Sequence, residues 1–150
     1  MAAYIAPNAT VVGDVTLGEN VSIWYGAVLR GDHGAIIIGD GTNIQDNCIV
    51  HEKTLIGKNC TVGHGAIVHG AVIGDNTVEG MGAIVLTGAV IGENCVIGAG
   101  AVVTGKTNAP AGSVLLGSPA KAVKEVAPEM IAGNQKSARD YVLWAQEQFG

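Results

Sequence analysis

The sequence predicts an all-β solenoid, a parallel β-helix made of hexapeptide repeats, followed by one C-terminal α-helix. Three observations lead to this fold class. Aliphatic side chains recur at every sixth residue, and small or β-branched side chains follow them four residues later. Gly, Asn and Asp fill the intervals, where bends need unusual backbone angles. Beyond about residue 120 a helical spacing replaces the period of six.

The period of six describes a short strand and a bend, with one bulky and one small side chain pointing inward. Such units cannot bury their apolar faces alone, so they stack as parallel coils about 4.8 Å apart. Each inward Ile or Val contributes roughly 1.5–3 kcal/mol on burial. The bulky inward positions are Ile5, Val11, Leu17, Ile23 and Leu29; Ile38, Ile44, Val50, Ile56, Val62 and Val68; and Ile73, Glu79, Val85, Ile91, Ile97, Val103, Ala109 and Leu115.

This repeat resembles the hexapeptide-repeat family of left-handed parallel β-helices over residues 5–120 or so. The resemblance implies a left-handed coil and three units per triangular turn of eighteen residues. The tail predicts a helix from about residue 128 to 149, packed along the side of the solenoid. We expect a single domain, with the β-helix over residues 1–120 and a linker and helix over 121–150.

Composition excludes several classes of function. Hydrophobic residues make up 48% of the 150 residues and charged residues only 14%, with a net charge of −5. The absence of a basic cluster argues against nucleic acid as a partner. No apolar run approaches about 18 residues and no leader-like segment opens the chain, so neither a membrane span nor secretion is predicted. We expect a cytoplasmic protein.

The three cysteines, Cys48, Cys60 and Cys95, all occupy the small inward position. An odd number without a CxxC spacing fits a reducing compartment. We interpret these thiols as core filler, since free cysteine is commonly buried as a small apolar residue.

The repeat is interrupted at two places. Leu29 to Ile38 is nine residues, a hexad plus three, and Val68 to Ile73 is five, a hexad minus one. Breaks in a regular stack cost packing, which favours a functional reason for them. The first break contains "LRGDHG" and the second follows "GHGAIVHG".

Three histidines have positions suited to a shared metal ion. His51 and His69 each follow a bulky inward valine and are eighteen residues apart, so in a three-sided coil they lie one above the other and point outward. Zn–N bonds of about 2.0–2.1 Å allow both imidazoles to bind one ion. His64 lies beyond a corner, and we expect it to serve the ion of a neighbouring subunit in a threefold ring. The alternative is that these histidines are solvated surface residues.

Charged residues accompany the histidines. Asp46 stands eighteen residues before His64 and is expected beneath it at the same corner. Arg30 and Asp32 flank a glycine, which suggests an ion pair across a subunit contact. The alternative for all three is a surface charge network, which contributes little to stability.

The motifs "LRGD", "NIQDN" and "GHGAIVHG", with a His shortly after the second, resemble the gamma-class carbonic anhydrase family. In that family three histidines bind zinc at trimer interfaces. The resemblance implies a homotrimer whose ion is bound by His51 and His69 of one subunit and His64 of the next. Histidine-only sites also accept Fe²⁺ or Co²⁺ in place of Zn²⁺.

The same resemblance implies further site residues and a reaction. Arg30 and Asp32 match the interface pair near the site, Gln45 the polar residue that contacts metal-bound water, and Asn43 and Asp46 its polar companions. The implied reaction is reversible hydration of CO2 to bicarbonate by a metal-bound hydroxide, because zinc lowers the pKa of bound water to about 7.

The proton-export groups depart from the family's active members. Those members carry a glutamate directly after "RGD" and an acidic insertion after the first ligand histidine. Here His33 follows Asp32, and "HEKTLIG" returns to the hexad without an insertion. Histidine exchanges protons near neutral pH, which makes His33 a candidate proton shuttle and Glu52 a weaker one. The resemblance therefore supports a metal site better than a fast rate.

Two features leave alternatives open. "GSPAKAV" resembles a segment common in CoA-dependent acyltransferases of this fold, with Lys121 available for phosphate, although no long loop is present to carry a catalytic histidine. A metal-dependent thioesterase and a non-catalytic metal-binding trimer are further alternatives.

Glu79 occupies an aliphatic slot, where an unpaired carboxylate is costly. We expect either a local register shift or a polar cleft near the metal.

Overall fold

The computed structural model describes residues 2–150 and shows a parallel β-solenoid with one C-terminal helix, as predicted. The strands form three faces, and β2 (Thr10–Leu17) and β4 (Val28–Ile38) each span the second and third. The first face contains β1 (Tyr4–Ile5), β3 (Ser22–Ile23), β5 (Asn43–Ile44), β8 (Thr61–Val62), β11 (Val78–Glu79), β14 (Val96–Ile97), β17 (Ser113–Gly117) and β18 (Ala120–Glu125). The second face adds β6 (Ile49–His51), β9 (Ile67–His69), β12 (Ile84–Val85) and β15 (Val102–Val103). The third face adds β7 (Thr54–Ile56), β10 (Val72–Ile73), β13 (Val90–Ile91) and β16 (Asn108–Ala109).

Equivalent residues of successive coils pair in parallel register, which confirms the predicted repeat. On the first face Tyr4 pairs with Ser22, eighteen residues later. The spacing rises to 21 between Ser22 and Asn43 and falls to 17 between Thr61 and Val78. These two coils contain the breaks seen in the sequence. Pairing continues through both, so the extra and missing residues are absorbed at the corners.

The inward positions form a narrow aliphatic core, in which Ile23, Ile44 and Ile97 are completely buried. The cysteine thiols lie in the same core and are free. Burial raises the pKa of Cys48 to about 12 and that of Cys60 to about 11. The thiols are therefore neutral at physiological pH, which fits their interpretation as core residues.

The corners depend on residues that tolerate a left-handed backbone. Asparagine supplies most of the non-glycine examples, since its short polar side chain accepts a positive φ more readily than other residues. Five corner asparagines have φ between 55° and 61°: Asn20, Asn47, Asn59, Asn76 and Asn94.

The interval between the solenoid and the helix, expected as a linker, contains strand β18. It pairs antiparallel with β17 and covers the last coil on the first face. Helix α1 (Pro128–Phe149) follows, with proline in its first turn, and packs on the first face. Tyr141 and Phe149 place their rings 5.3 and 5.0 Å from that of Trp24. Between residues 2 and 150, no helix combines the length and apolar character that a bilayer span requires.

Glu79 departs from the first of the two expectations for it. The register does not shift, because Glu79 pairs with Val62 on one side and Ile97 on the other within the inward column. Glu79 lies at the wall of a cleft that also contains Gln45 and His64, but its side chain is only 1% exposed and neither carboxyl oxygen has a hydrogen-bond partner.

The inward column makes a direct prediction about stability. Ile44→Ala removes a fully buried side chain and is expected to lower the free energy of unfolding by about 2–5 kcal/mol. Ile37→Ala removes the same atoms from a side chain that is 46% exposed on the third face, and we expect a loss of about 1 kcal/mol or less. Urea denaturation of the two variants measures the difference; equal losses would contradict the assigned inward and outward positions.

Candidate metal centre

The corner between the second and third faces brings three polar side chains into one column. Parallel pairing places Arg30 of β4 beside His51 of β6, and His51 beside His69 of β9. The two imidazole centroids are 5.3 Å apart and the rings are inclined at 77°. Ring nitrogens of both histidines and a carboxylate oxygen of Glu52 all lie within 4.8 Å of one another. This spacing is compatible with a single bound ion.

His51 is oriented by the carboxylate of Asp32. Its Nε2 lies 3.1 Å from Asp32 Oδ1, and Arg30 donates to Asp32 Oδ2 at 2.7 Å. Desolvation acts to raise the pKa of Asp32, but hydrogen bonds from His51 and Arg30 outweigh it and lower that pKa. An ionised carboxylate only accepts, so Nε2 of His51 carries the proton and Nδ1 is left with a lone pair. The Arg30–Asp32 ion pair forms within one chain.

His69 has an equivalent partner in Thr87. Its Nδ1 lies 2.7 Å from Thr87 Oγ1, which leaves Nε2 open. Metal-binding histidines usually hold their second nitrogen in this way, which fixes the orientation of the ring. Thr87 is not among the residues predicted for the site: the coil after His69 has 17 residues, so Leu86 is in register with His69 and Thr87 lies one residue beyond it.

Glu52 and His33 extend the cluster toward solvent. Glu52 Oε1 lies 3.9 Å from His51 Nδ1 and 3.7 Å from His33 Nδ1, and the His33 side chain is 65% exposed. Glu52 has a φ of +64°, a conformation that costs a residue with a Cβ roughly 1–2 kcal/mol. Strain of this kind is often retained where a side chain must point in a particular direction.

A second polar cluster occupies the corner between the first and second faces. His64 Nδ1 lies 3.0 Å from Asp46 Oδ1, as expected for residues eighteen apart, and its Nε2 is open. Gln45 donates through Nε2 to Asn43 Oδ1 at 3.0 Å, and Asn43 donates in turn to Thr61 Oγ1 at 3.1 Å. These bonds fix the Gln45 amide with Oε1 available as an acceptor.

Helix α1 borders an open cleft beside this second cluster, with a volume of about 360 Å³. Gln45, His64, Met81 and Tyr141 line it. Burial, assisted by the charge of Asp46, raises the pKa of Tyr141, so its hydroxyl stays protonated at neutral pH. Sequence reasoning placed Tyr141 on the helix but assigned it no part in the site, because helical periodicity does not show which coil a helical residue reaches.

The predicted site residues therefore divide between two corners of one chain. Arg30, Asp32 and His33 gather around His51 and His69. Asn43, Gln45 and Asp46 lie instead with His64, beyond the next corner. Each of the three candidate ligands has one nitrogen held by a partner and one open. Imidazole nitrogens oriented in this way form a donor set that suits zinc and similar divalent ions.

Comparison with known proteins gives a consistent result. The family described as "Bacterial transferase hexapeptide (six repeats)" matches residues 2–31, 35–70 and 70–105. "Probable carbonic anhydrase" of Methanocaldococcus jannaschii is 51% identical over 142 residues, covering 92% of this chain and 89% of that protein. "Gamma carbonic anhydrase 2, mitochondrial" of Arabidopsis thaliana is 44% identical over 153 residues, covering 95% of this chain.

The chain spans only 55% of the length of that Arabidopsis protein. Among solved structures, a hexapeptide transferase family protein from Anaplasma phagocytophilum superposes with a TM-score of 0.94. It is 44% identical in sequence, and the match covers 97% of this chain and 88% of that one. These relatives carry carbonic anhydrase names in one comparison and a transferase name in another.

The contact between His69 and Thr87 predicts an effect on metal affinity. Thr87→Val keeps the shape of the side chain but removes the hydroxyl beside Nδ1, and we expect Co²⁺ or Zn²⁺ to bind about 10–100-fold more weakly. Thr104→Val, one coil further along on an exposed threonine, serves as the matched control and should leave affinity unchanged. Competition titration against a chelator provides the measurement, and equal affinity in all three proteins would show that Thr87 does not orient a ligand.

Proposed function

The chain belongs to the gamma-class carbonic anhydrase family of hexapeptide-repeat proteins, and from this premise we propose that it is a metal-dependent enzyme that reversibly hydrates CO2 to bicarbonate. The observation that carries the proposal is the common geometry of His51, His64 and His69. Each histidine is held at one nitrogen by Asp32, Asp46 or Thr87 and leaves the other nitrogen open.

The proposed active form is a homotrimer that shares each site between two subunits. His51 and His69 of one subunit would hold Zn²⁺, or Fe²⁺ or Co²⁺, together with His64 of a neighbouring subunit. Support comes from the position of His64 at a different corner from the other two histidines in the same chain. When bound, the ion supplies Lewis acidity that lowers the pKa of water at the site to about 7.

The polar residues of both corners have separate roles in this proposal. The network from Thr61 through Asn43 holds the Gln45 amide, so that Oε1 can accept a hydrogen bond from the attacking water and direct its lone pair at CO2. Arg30 keeps Asp32 ionised and in place, and Asp32 keeps the His51 ring in one orientation. Asp46 does the same for His64.

CO2 is uncharged and needs an apolar wall rather than a charged one. Met81 is 59% exposed and lines the cleft beside His64 and Gln45 together with Val78 and Ala99. A neutral Tyr141 hydroxyl at the helical side of this cleft is available to donate a hydrogen bond to an oxygen of the substrate or of bicarbonate.

Proton release is assigned to Glu52 and His33, which lead from the site beside His51 to solvent. Glu52 lies between His51 and His33, at 3.9 and 3.7 Å from their Nδ1 atoms. Because Nδ1 of His51 would face the ion, the proton would pass from water at the site to Glu52 and then across 3.7 Å to His33 through one intervening water. His33 then passes the proton to buffer from its exposed position.

Acyl transfer is the second candidate, because the matching family and the Anaplasma phagocytophilum structure both carry transferase names. An acyltransferase needs a base aligned with an acceptor hydroxyl or amine. The best-oriented histidines here instead face one another in a pair suited to an ion. A metal-dependent thioesterase and a non-catalytic metal-binding trimer remain as alternatives that the same experiment separates.

Metal content and activity of one preparation test the proposal. Anaerobically purified protein is expected to hold about one divalent ion per chain. It should hydrate CO2 in a stopped-flow assay, lose that activity to a chelator and regain it with added metal. A metal-loaded protein without hydration would contradict the proposal and favour a thioesterase or a non-catalytic trimer. Turnover of acetyl-CoA with an amine or alcohol acceptor would favour acyl transfer.

The assignment of His33 makes a narrower prediction. His33→Ala removes the exposed end of the proton path and should lower kcat at least about tenfold in dilute buffer, with recovery at high imidazole concentration. Metal content should not change, because His33 is not among the three ligands. Equal rates for wild type and His33→Ala in dilute buffer would remove His33 from the mechanism.

A further inference from the structure

Glu79 is the one bulky inward position that carries an ionisable side chain between residues 2 and 150. It lies in β11 between Val62 of β8 and Ile97 of β14, in a column that is otherwise aliphatic. The side chain is 1% exposed and neither carboxyl oxygen has a hydrogen-bond partner. A protonated carboxyl can occupy such a position at moderate cost, whereas an unpaired carboxylate cannot.

No hydrogen bond joins the Glu79 carboxyl to another side chain, although the cleft that Glu79 lines also contains the titratable His64 and Tyr141. The titratable group that responds to its charge is the Cys48 thiol, whose pKa of about 12 keeps it neutral. Burial alone raises the pKa of Glu79 well above its ordinary value. The inward side chains of the adjoining strands do not ionise: Val62 and Ile97 on the first face, Val68 and Val85 on the second, and Ile73 and Ile91 on the third.

We propose that Glu79 acts as a pH-dependent latch on the central coil. Strand β11 stays in place while the Glu79 carboxyl is protonated, and it detaches when the carboxyl ionises. An ionised Glu79 has to reach water, and β11 has to leave its place for this to happen. The device belongs to the fold and does not depend on the activity proposed above.

Opening at β11 would interrupt the solenoid in both directions. On one side, Gly63 N donates to Glu79 O at 2.8 Å and Thr61 N donates to Thr77 O at 3.0 Å. On the other side, Val78 N donates to Cys95 O at 3.0 Å and Gly80 N donates to Ile97 O at 2.8 Å. Exchange of these amide hydrogens with solvent therefore reports directly on the latch.

The direction of the pH effect follows from proton binding. Below the unfolded pKa of a glutamate, about 4.3, closed and open forms are both protonated and Glu79 does not bias the equilibrium. Above that value the open form loses its proton while the closed form keeps it. The ratio of open to closed coil then rises about tenfold per pH unit until the pKa of the closed form is passed.

Hydrogen exchange of wild type and Glu79→Gln between pH 5 and 9 tests the latch. Protection factors of peptides that contain β8 and β11 should fall with rising pH in the wild type relative to Glu79→Gln, by up to about tenfold per pH unit. Glu93→Gln, which neutralises an exposed corner carboxylate, is the matched control and should follow the wild type. Parallel pH profiles for wild type and Glu79→Gln would overturn the proposal.

A second variant covers the case in which the buried amide of glutamine disturbs folding. Glu79→Leu restores the aliphatic column and should fold, stay protected and lack the pH dependence. Failure of both neutral variants to fold would also overturn the proposal, because the latch requires that an uncharged side chain at position 79 keeps the coil closed.

Discussion

Parallel stacking of the coils is the constraint on which the rest of the structure depends. Successive strands lie about 4.8 Å apart, and the inward aliphatic column fixes which side chains point out. Residues that follow equivalent inward positions are therefore held in vertical register. This places His51 beside His69 and His64 beside Asp46 without any dedicated loop. Thr87 reaches His69 from the following coil, one residue beyond the register position that Leu86 occupies.

The two irregular coils place polar side chains where a uniform solenoid would have only a short turn. The coil from Ser22 to Asn43 is three residues longer than its neighbours, and the excess lies where β4 turns the corner. The three additional residues place Asp32 and His33 beside His51. The shortened coil follows His69 and is compensated before β10, so the core column is not displaced. Polar side chains of the candidate site are thus added at corners while the core keeps its period.

Much of this arrangement could be predicted from sequence, because a period of six specifies both burial and register. The solenoid and the pairing of His51 with His69 follow from it, and the C-terminal helix follows from the helical spacing that replaces it beyond residue 120. The rest depends on information that periodicity does not contain. β18 pairs antiparallel and follows no hexad, and Tyr141 reaches its cleft only through the packing angle of α1. Glu79 kept its register because pairing on both sides fixes β11 more strongly than one unfavourable side chain can displace it.

The central claim is that one site is built from two copies of the chain, and mixed assembly tests it most directly. His64→Ala and His69→Ala subunits should each fail to hold metal or hydrate CO2 alone. When the two are refolded together, sites that combine the intact His51 and His69 of one subunit with the intact His64 of its neighbour should return. Random assembly of equal amounts into rings of three restores about a quarter of the wild-type metal content and activity. No recovery in the mixture, or full metal binding by His64→Ala alone, would contradict the account.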